Sequence, residues 1–133
     1  MQEIHISTHK RQELVNITEQ TRDLVRKNSW QEGTLLLFCT HTTAGLTINE
    51  AADPSVARDL LVNLSRLIPE KGDYRHLEGN SDAHIKSSLV GCSEQILVHS
   101  GRLLLGTWQG IFFAEFDGPR SRKILAQWTG SRG

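Results

Sequence analysis

Gly33-Thr34-Leu35-Leu36-Leu37-Phe38-Cys39-Thr40-His41-Thr42-Thr43-Ala44-Gly45-Leu46-Thr47-Ile48-Asn49 holds two apolar runs separated by a polar corner. Each run is too short for a helix of ordinary length and rich in residues that suit a pleated surface, so residues 34–40 and 44–49 read as strands joined at Thr42-Thr43. Gly33 reads as the turn into the first of them. Downstream, Asp53-Pro54 is a helix start, with the carboxylate capping free amides and proline in the first turn. Val56, Leu60, Leu61 and Leu64 give that helix an apolar stripe through Leu67, and Pro69 ends it. Upstream, Ile4 and Ile6 share one side of a strand, residues 14–17 form a second, and Thr18 caps a helix over 19–27 that stops near Asn28.

Beyond a long loop over 69–81, Ser81 or Asp82 can cap a short helix through Val90, closed by Gly91. The remainder is β-rich, with strands expected over 95–99, 102–107, 111–116 and 122–128, separated by Gly101, Gly110 and Gly118. There are no internal repeats and no linker. The expected fold is therefore α+β: one compact domain over residues 1–133, a mostly antiparallel or mixed sheet with two or three helices packed on it.

Composition narrows the function. In 133 residues, fifteen basic side chains balance fifteen acidic ones, so no whole-protein field draws in nucleic acid or anionic lipid. The longest apolar run, residues 35–39, is far below a membrane span, and the start of the chain has no basic-then-apolar signal pattern. The expectation is a soluble cytoplasmic protein with neither nucleic-acid nor membrane partners. Cys39 and Cys92 lack CxxC spacing and read as buried, reduced thiols.

From 76 to 86 a polar side chain stands at every second position: His76, Glu78, Asn80, Asp82, His84 and Lys86. In an extended segment these would line one face; a helix beginning at 81 or 82 would break the row and send His84 and Lys86 apart. His41 projects from a strand end beside hydroxyls. Together with His76 and His84 it could hold a zinc-like ion with an open position, while each could equally serve as acid, base or structural donor. Glu78 and Asp82 could orient the imidazoles or move protons, and Asp82 could simply cap a helix. His5, His9 and His99 receive no role.

A second constellation runs through Gly106-Thr107-Trp108-Gln109-Gly110 and Glu115-Phe116-Asp117-Gly118-Pro119-Arg120. Trp108 offers a flat face for stacking or for core packing. The Asp117-Gly118-Pro119 turn presents Arg120, which matches a phosphate bidentately or pairs with Glu115. Lys86, Arg120 and the helix starts could together hold phosphate; no Walker loop or GxGxxG fingerprint is present.

These blocks, with Ile48-Asn49-Glu50, Asp53-Pro54 and Ala83-His84-Ile85-Lys86-Ser87-Ser88, resemble the YjbQ-like proteins, also described as secondary thiamine-phosphate synthases. The resemblance covers nearly the whole chain in order and spacing. It implies a homotrimer with histidine-containing pockets and a synthase joining a pyrimidinylmethyl diphosphate to a thiazole phosphate with release of diphosphate. His41, Asn49, Glu50, His76, Asn80, His84, Trp108, Gln109, Glu115, Asp117 and Arg120 match the family's motifs. The roles inferred for these residues, and for Glu78, Asp82 and Lys86 from their chemistry, are ligand histidines (His41, His76, His84), acid–base groups (Glu78, Asp82, His84) and substrate contacts (Asn49, Glu50, Asn80, Lys86, Trp108, Gln109, Glu115, Asp117, Arg120).

The joining reaction needs phosphate anchors, a cation for the leaving group and a surface for two rings. A histidine cluster favours zinc, whereas diphosphate usually travels with magnesium on oxygen ligands. A TIM barrel of about 250 residues cannot be built from this chain, so the activity would sit on another scaffold. The alternatives are a metal-dependent hydrolase of a small phosphorylated substrate, and a non-catalytic small-molecule or metal-binding trimer.

Overall fold

The computed structural model describes residues 1–133 as eight strands and three helices in two sheets rather than one. Strands β1 (Gln2–Ser7), β3 (Trp30–Cys39), β5 (Ser93–His99), β6 (Arg102–Leu103) and β8 (Ser121–Arg132) form a five-stranded sheet in the order β1-β8-β3-β5-β6. Strands β2 (Glu13–Asn16), β4 (Ala44–Glu50) and β7 (Gln109–Glu115) form a three-stranded sheet in the order β2-β7-β4. Every pairing is antiparallel.

Alternation decides the layers. Leu35, Leu37 and Cys39 of β3 point inward with Ile4, Ile6, Ile96, Val98 and Ile124, meeting Leu46, Ile111 and Phe113 of the smaller sheet in the main core. Helix α1 (Thr18–Lys27) adds Val25 to it. On the other face of the smaller sheet, Leu14, Ala114 and Phe116 pack against Ala83 of α3 (Ser81–Val90) and Leu61 and Leu64 of α2 (Pro54–Leu67). Strand β7 is thus sandwiched on both sides, which is why its residues from Gly110 onward are all buried.

Several local expectations change. Thr18 is the first helical residue, and its hydroxyl accepts from the Ile111 amide at 2.9 Å instead of capping. Asp53 does cap α2, accepting from the Ser55 amide at 2.9 Å. Helix α3 has Asn80 at its N-cap with no side-chain bond, so neither Ser81 nor Asp82 is a cap. Gly33 lies within β3 at a register shift against β8, where a Cβ would meet the Thr129 carbonyl at 2.1 Å. Gly110 lies inside β7, and the expected strand over 102–107 shrinks to two residues. Cys39 is buried, but Cys92 is exposed.

Candidate functional site

Where β3 ends, β8 runs on, and the chain turns through Thr40–Thr43 into β4. His41 fills that corner: its Nε2 lies 3.1 Å from both the main-chain nitrogen and the carbonyl of Lys123, so the tautomer selects which bond forms. Its ring meets Phe113 edge-on at 6.4 Å. Burial, followed by the nearby Arg122 cation, holds its pKa below the ordinary histidine value, so the ring is neutral at pH 7.

The corner opens into a cavity of about 430 Å³ lined by Thr40, His41, Thr42, Thr43, His76, Glu78, Asn80, His84, Asp117, Arg120 and Arg122, with no hydrophobic residue among them. His84 comes from the first half of α3, and His76 from the preceding loop crosses it at right angles, the ring centroids 5.4 Å apart. Glu78 stands at the rim, 3.9 Å from His76 Nε2. Asn80 donates through Nδ2 to Asp117 Oδ2 at 2.8 Å, while its buried Oδ1 has no partner in the chain. Asp117 in turn accepts from Arg120 Nη2 at 3.0 Å, and Arg120 Nε donates to the Asp117 carbonyl at 2.8 Å.

Beneath this surface, Glu115 is fully enclosed and paired with Arg122, which also donates to Thr43 Oγ1 at 2.8 Å. Burial alone would raise the Glu115 carboxyl, but donors on Arg122, Thr8 and the Asp117 amide outweigh it and hold the pKa below the usual range. Arg122 is therefore a fixed cation in the wall. It escaped the sequence reading; its alternate spacing from Arg120 at the start of a strand was the available signal.

Seven expected residues thus meet at one cavity: His41, His76, Glu78, Asn80, His84, Asp117 and Arg120. The others lie elsewhere. Helical spacing turns Lys86 away from His84 into the interior, where Nζ donates to Asp82 Oδ2 at 3.0 Å and lies 3.4 Å from Gln12 and Ser65. Asp82 is equally buried and also binds Arg11 Nη2 at 3.1 Å, so neither Lys86 as phosphate anchor nor Asp82 as base is in place. Glu115 supports the wall instead of contacting substrate.

Asn49, Glu50, Trp108 and Gln109 gather at the opposite end of β4 and β7. Seven residues of strand put that end about 20 Å from Thr43. There Asn49 Oδ1 accepts from the Glu50 amide, Glu50 from the Ala52 amide and Gln109 from the Gly106 amide, each at 2.8 Å, and Trp108 is exposed. Trp108 neither packs in the core nor reaches the cavity of its own chain.

The expected three-histidine ligand set is not assembled. His41 Nε2 is engaged by the Lys123 backbone, and no three His, Cys, Asp or Glu side chains converge closely enough to hold an ion. No helix is long and apolar enough to cross a membrane.

Relatives of this chain are described as UPF0047, uncharacterised or hypothetical proteins. The chain is 54% identical to a UPF0047 protein of Methanocaldococcus jannaschii, over 96% of this chain and 92% of the relative, and 46% identical to the UPF0047 protein YugU of Bacillus subtilis, over 96% and 97%. Among solved structures, an uncharacterised conserved protein of the same family from Clostridium acetobutylicum superposes with a TM-score of 0.94 at 50% identity, covering 97% of this chain and all of that one. A hypothetical protein from Aeropyrum pernix gives 0.93 at 31% identity, covering 98% of each. The UPF0047 YjbQ-like family model matches residues 2–131, and the chain belongs to that family.

Proposed function

We propose that the polar cavity binds a small phosphorylated molecule and acts on it by proton transfer at His76 and His84. One observation carries this reading: eleven polar residues and no apolar one surround the space, among them three imidazoles and two guanidinium groups. Arg120, half exposed, is the anion contact, while Arg122 is locked in the wall by its ion pair with Glu115. The two crossed imidazoles can give a proton to the departing diphosphate in the joining reaction, or take one from the attacking water in hydrolysis, with Glu78 beside His76 to orient it. The unpartnered Asn80 carbonyl is an acceptor for a substrate hydroxyl or amine.

Within that class, the family resemblance favours synthesis of thiamine phosphate, and phosphate-ester hydrolysis is the alternative. The joining reaction needs aromatic surface that the cavity lacks, and the exposed Trp108 cluster supplies it only if a second chain brings it in. A cyclic trimer, with one end of the β4–β7 pair meeting the other end in a neighbour, would do so. Self-association also has an unpaired apolar face to use, since Phe38 and Leu97 point outward from the five-stranded sheet and are exposed. His76 and His84, whose rings lie together at the cavity, are the imidazoles that would hold a metal ion there, since His41 Nε2 is engaged by the Lys123 backbone.

The test is incubation of the chain with both thiamine precursors, and separately with a panel of phosphate monoesters. Thiamine phosphate and diphosphate as products select the synthase; phosphate from a single ester selects the hydrolase; saturable binding alone selects a binding protein. His84→Gln should reduce turnover by about 100-fold or more with the fold intact. Absence of binding to every phosphorylated compound would overturn the proposal.

A further inference from the structure

A second cavity, about 550 Å³, shares no residue with the first. It lies between α1 and the turn joining β5 to β6, and its wall carries Arg22, Arg26 and Arg102 with no acidic residue. In a chain of zero formal charge, three guanidinium groups around one space are a local concentration of positive potential. Arg22 and Arg26 also pair with Glu19 and Asp23, acids that do not line the cavity. Arg26 stands in the last turn of α1, where a cation is favoured on its own account. That does not explain Arg102, which arrives from a separate hairpin and is absent from every arginine ion pair.

A further observation fits an anionic occupant. Ser29 (φ 54°) and Ser100 (φ 49°) are the only non-glycine residues of the chain in the left-handed region, and both line this cavity. Glycine or asparagine meets such a turn at lower cost, whereas serine keeps a hydroxyl donor beside the arginines. Trp30, also in the wall, is 2% exposed and stacks on Trp128 at 5.2 Å, which fixes the floor of the cavity. Val25, Trp30 and Leu103 add apolar wall, and the volume suits a ligand larger than a single phosphate.

We infer that this cavity is a second ligand site, taking a small molecule with two or more linked phosphates on Arg22, Arg26 and Arg102. It is independent of the reaction assigned to the histidine cavity. All three arginines are exposed, so replacing them leaves the core untouched.

Calorimetric titration of the full chain with inorganic pyrophosphate and with ADP tests it. Arg102→Gln should weaken pyrophosphate binding about tenfold, the scale of one charge-assisted hydrogen bond, and Arg26→Gln/Arg102→Gln should weaken it further. Arg120→Gln, which alters only the histidine cavity, should leave that binding in place. Arg58→Gln, a distant exposed arginine beside Asp59, controls for net charge. Unchanged affinity in the double variant would overturn the site. So would an equal loss in Arg58→Gln, or loss of all pyrophosphate binding in Arg120→Gln.

Discussion

A lysine ammonium removed from water remains charged only beside an acceptor, and Lys86 is fully enclosed with Asp82 at 3.0 Å. Lys86→Met leaves Asp82 with Arg11 as its one cation, and breaking such a buried pair should destabilise the protein by about 3 kcal/mol or more. Replacing Asp82 as well, by an apolar residue of similar size, should recover part of that loss; denaturant unfolding of the single and double variants measures the coupling. Arg120 behaves oppositely. Its side chain is half exposed at the histidine cavity, so Arg120→Lys should keep the charge, lose the fork geometry and weaken phosphate-ester affinity by about 1–2 kcal/mol, with little change in unfolding temperature. Unchanged affinity with a large stability loss would make Arg120 a structural partner of Asp117 alone. Both cations stand in polar motif blocks, and a helix from 81 or 82 could be read as parting His84 from Lys86 without showing which of the two turns inward. Only the helix beginning at Ser81 decides it, turning His84 toward the cavity and Lys86 inward.

At the scale of elements, legibility followed periodicity. Strands with inward alternation, such as Gln2–Ser7 and the part of β3 from Thr34 to Cys39, and the Asp53-Pro54 helix start were readable because local chemistry and burial agree there, whereas residues 30–33 of β3 were not read as strand. Glycine misled where its role is close approach and not a turn. Gly33 and Gly130 face each other across β3 and β8, and a Cβ on either would come within 2.1 Å of a carbonyl on the opposite strand. Gly33→Ala should therefore force the register shift apart and cost about 1–3 kcal/mol, the scale of overpacking. Loss of amide protection along β3 and β8, with β4 and β7 unaffected, is the measurement that localises it. Had Gly33 been only a turn, that substitution would leave the β8 pairing intact. The candidate site was legible for the same reason that its partition was not: motif blocks mark which residues matter, but a seven-residue strand separates Thr43 from the Trp108 cluster by about 20 Å.

For the whole molecule, two buried ionic networks set the response to acid. Asp82 and Glu115 both have pKa values held below the ordinary range, so the folded state binds fewer protons than the unfolded chain once pH nears 4.5. Their stabilisation is present above that pH and lost as pH falls through the folded values. His41, held neutral by burial, adds a loss beginning below about 6.5, because unfolding lets it protonate. Unfolding temperature should thus begin to decline below pH 6.5 and decline further below about 4.5, and a flat profile between pH 7 and 3 would contradict both networks. Assembly is the other whole-molecule question. The proposed trimer requires the Trp108 end of one chain to approach the histidine cavity of the next, so sedimentation at micromolar concentration should give three times the 14.9 kDa chain mass. Trp108→Ala should then weaken binding of a phosphorylated heteroaromatic compound at the histidine cavity, although in one chain that residue is too distant to touch it. Inorganic phosphate, which needs no ring surface, should bind the variant as before. A stable monomer, or heteroaromatic affinity indifferent to Trp108, would confine the site to one chain and leave the ring-joining reaction without its aromatic surface.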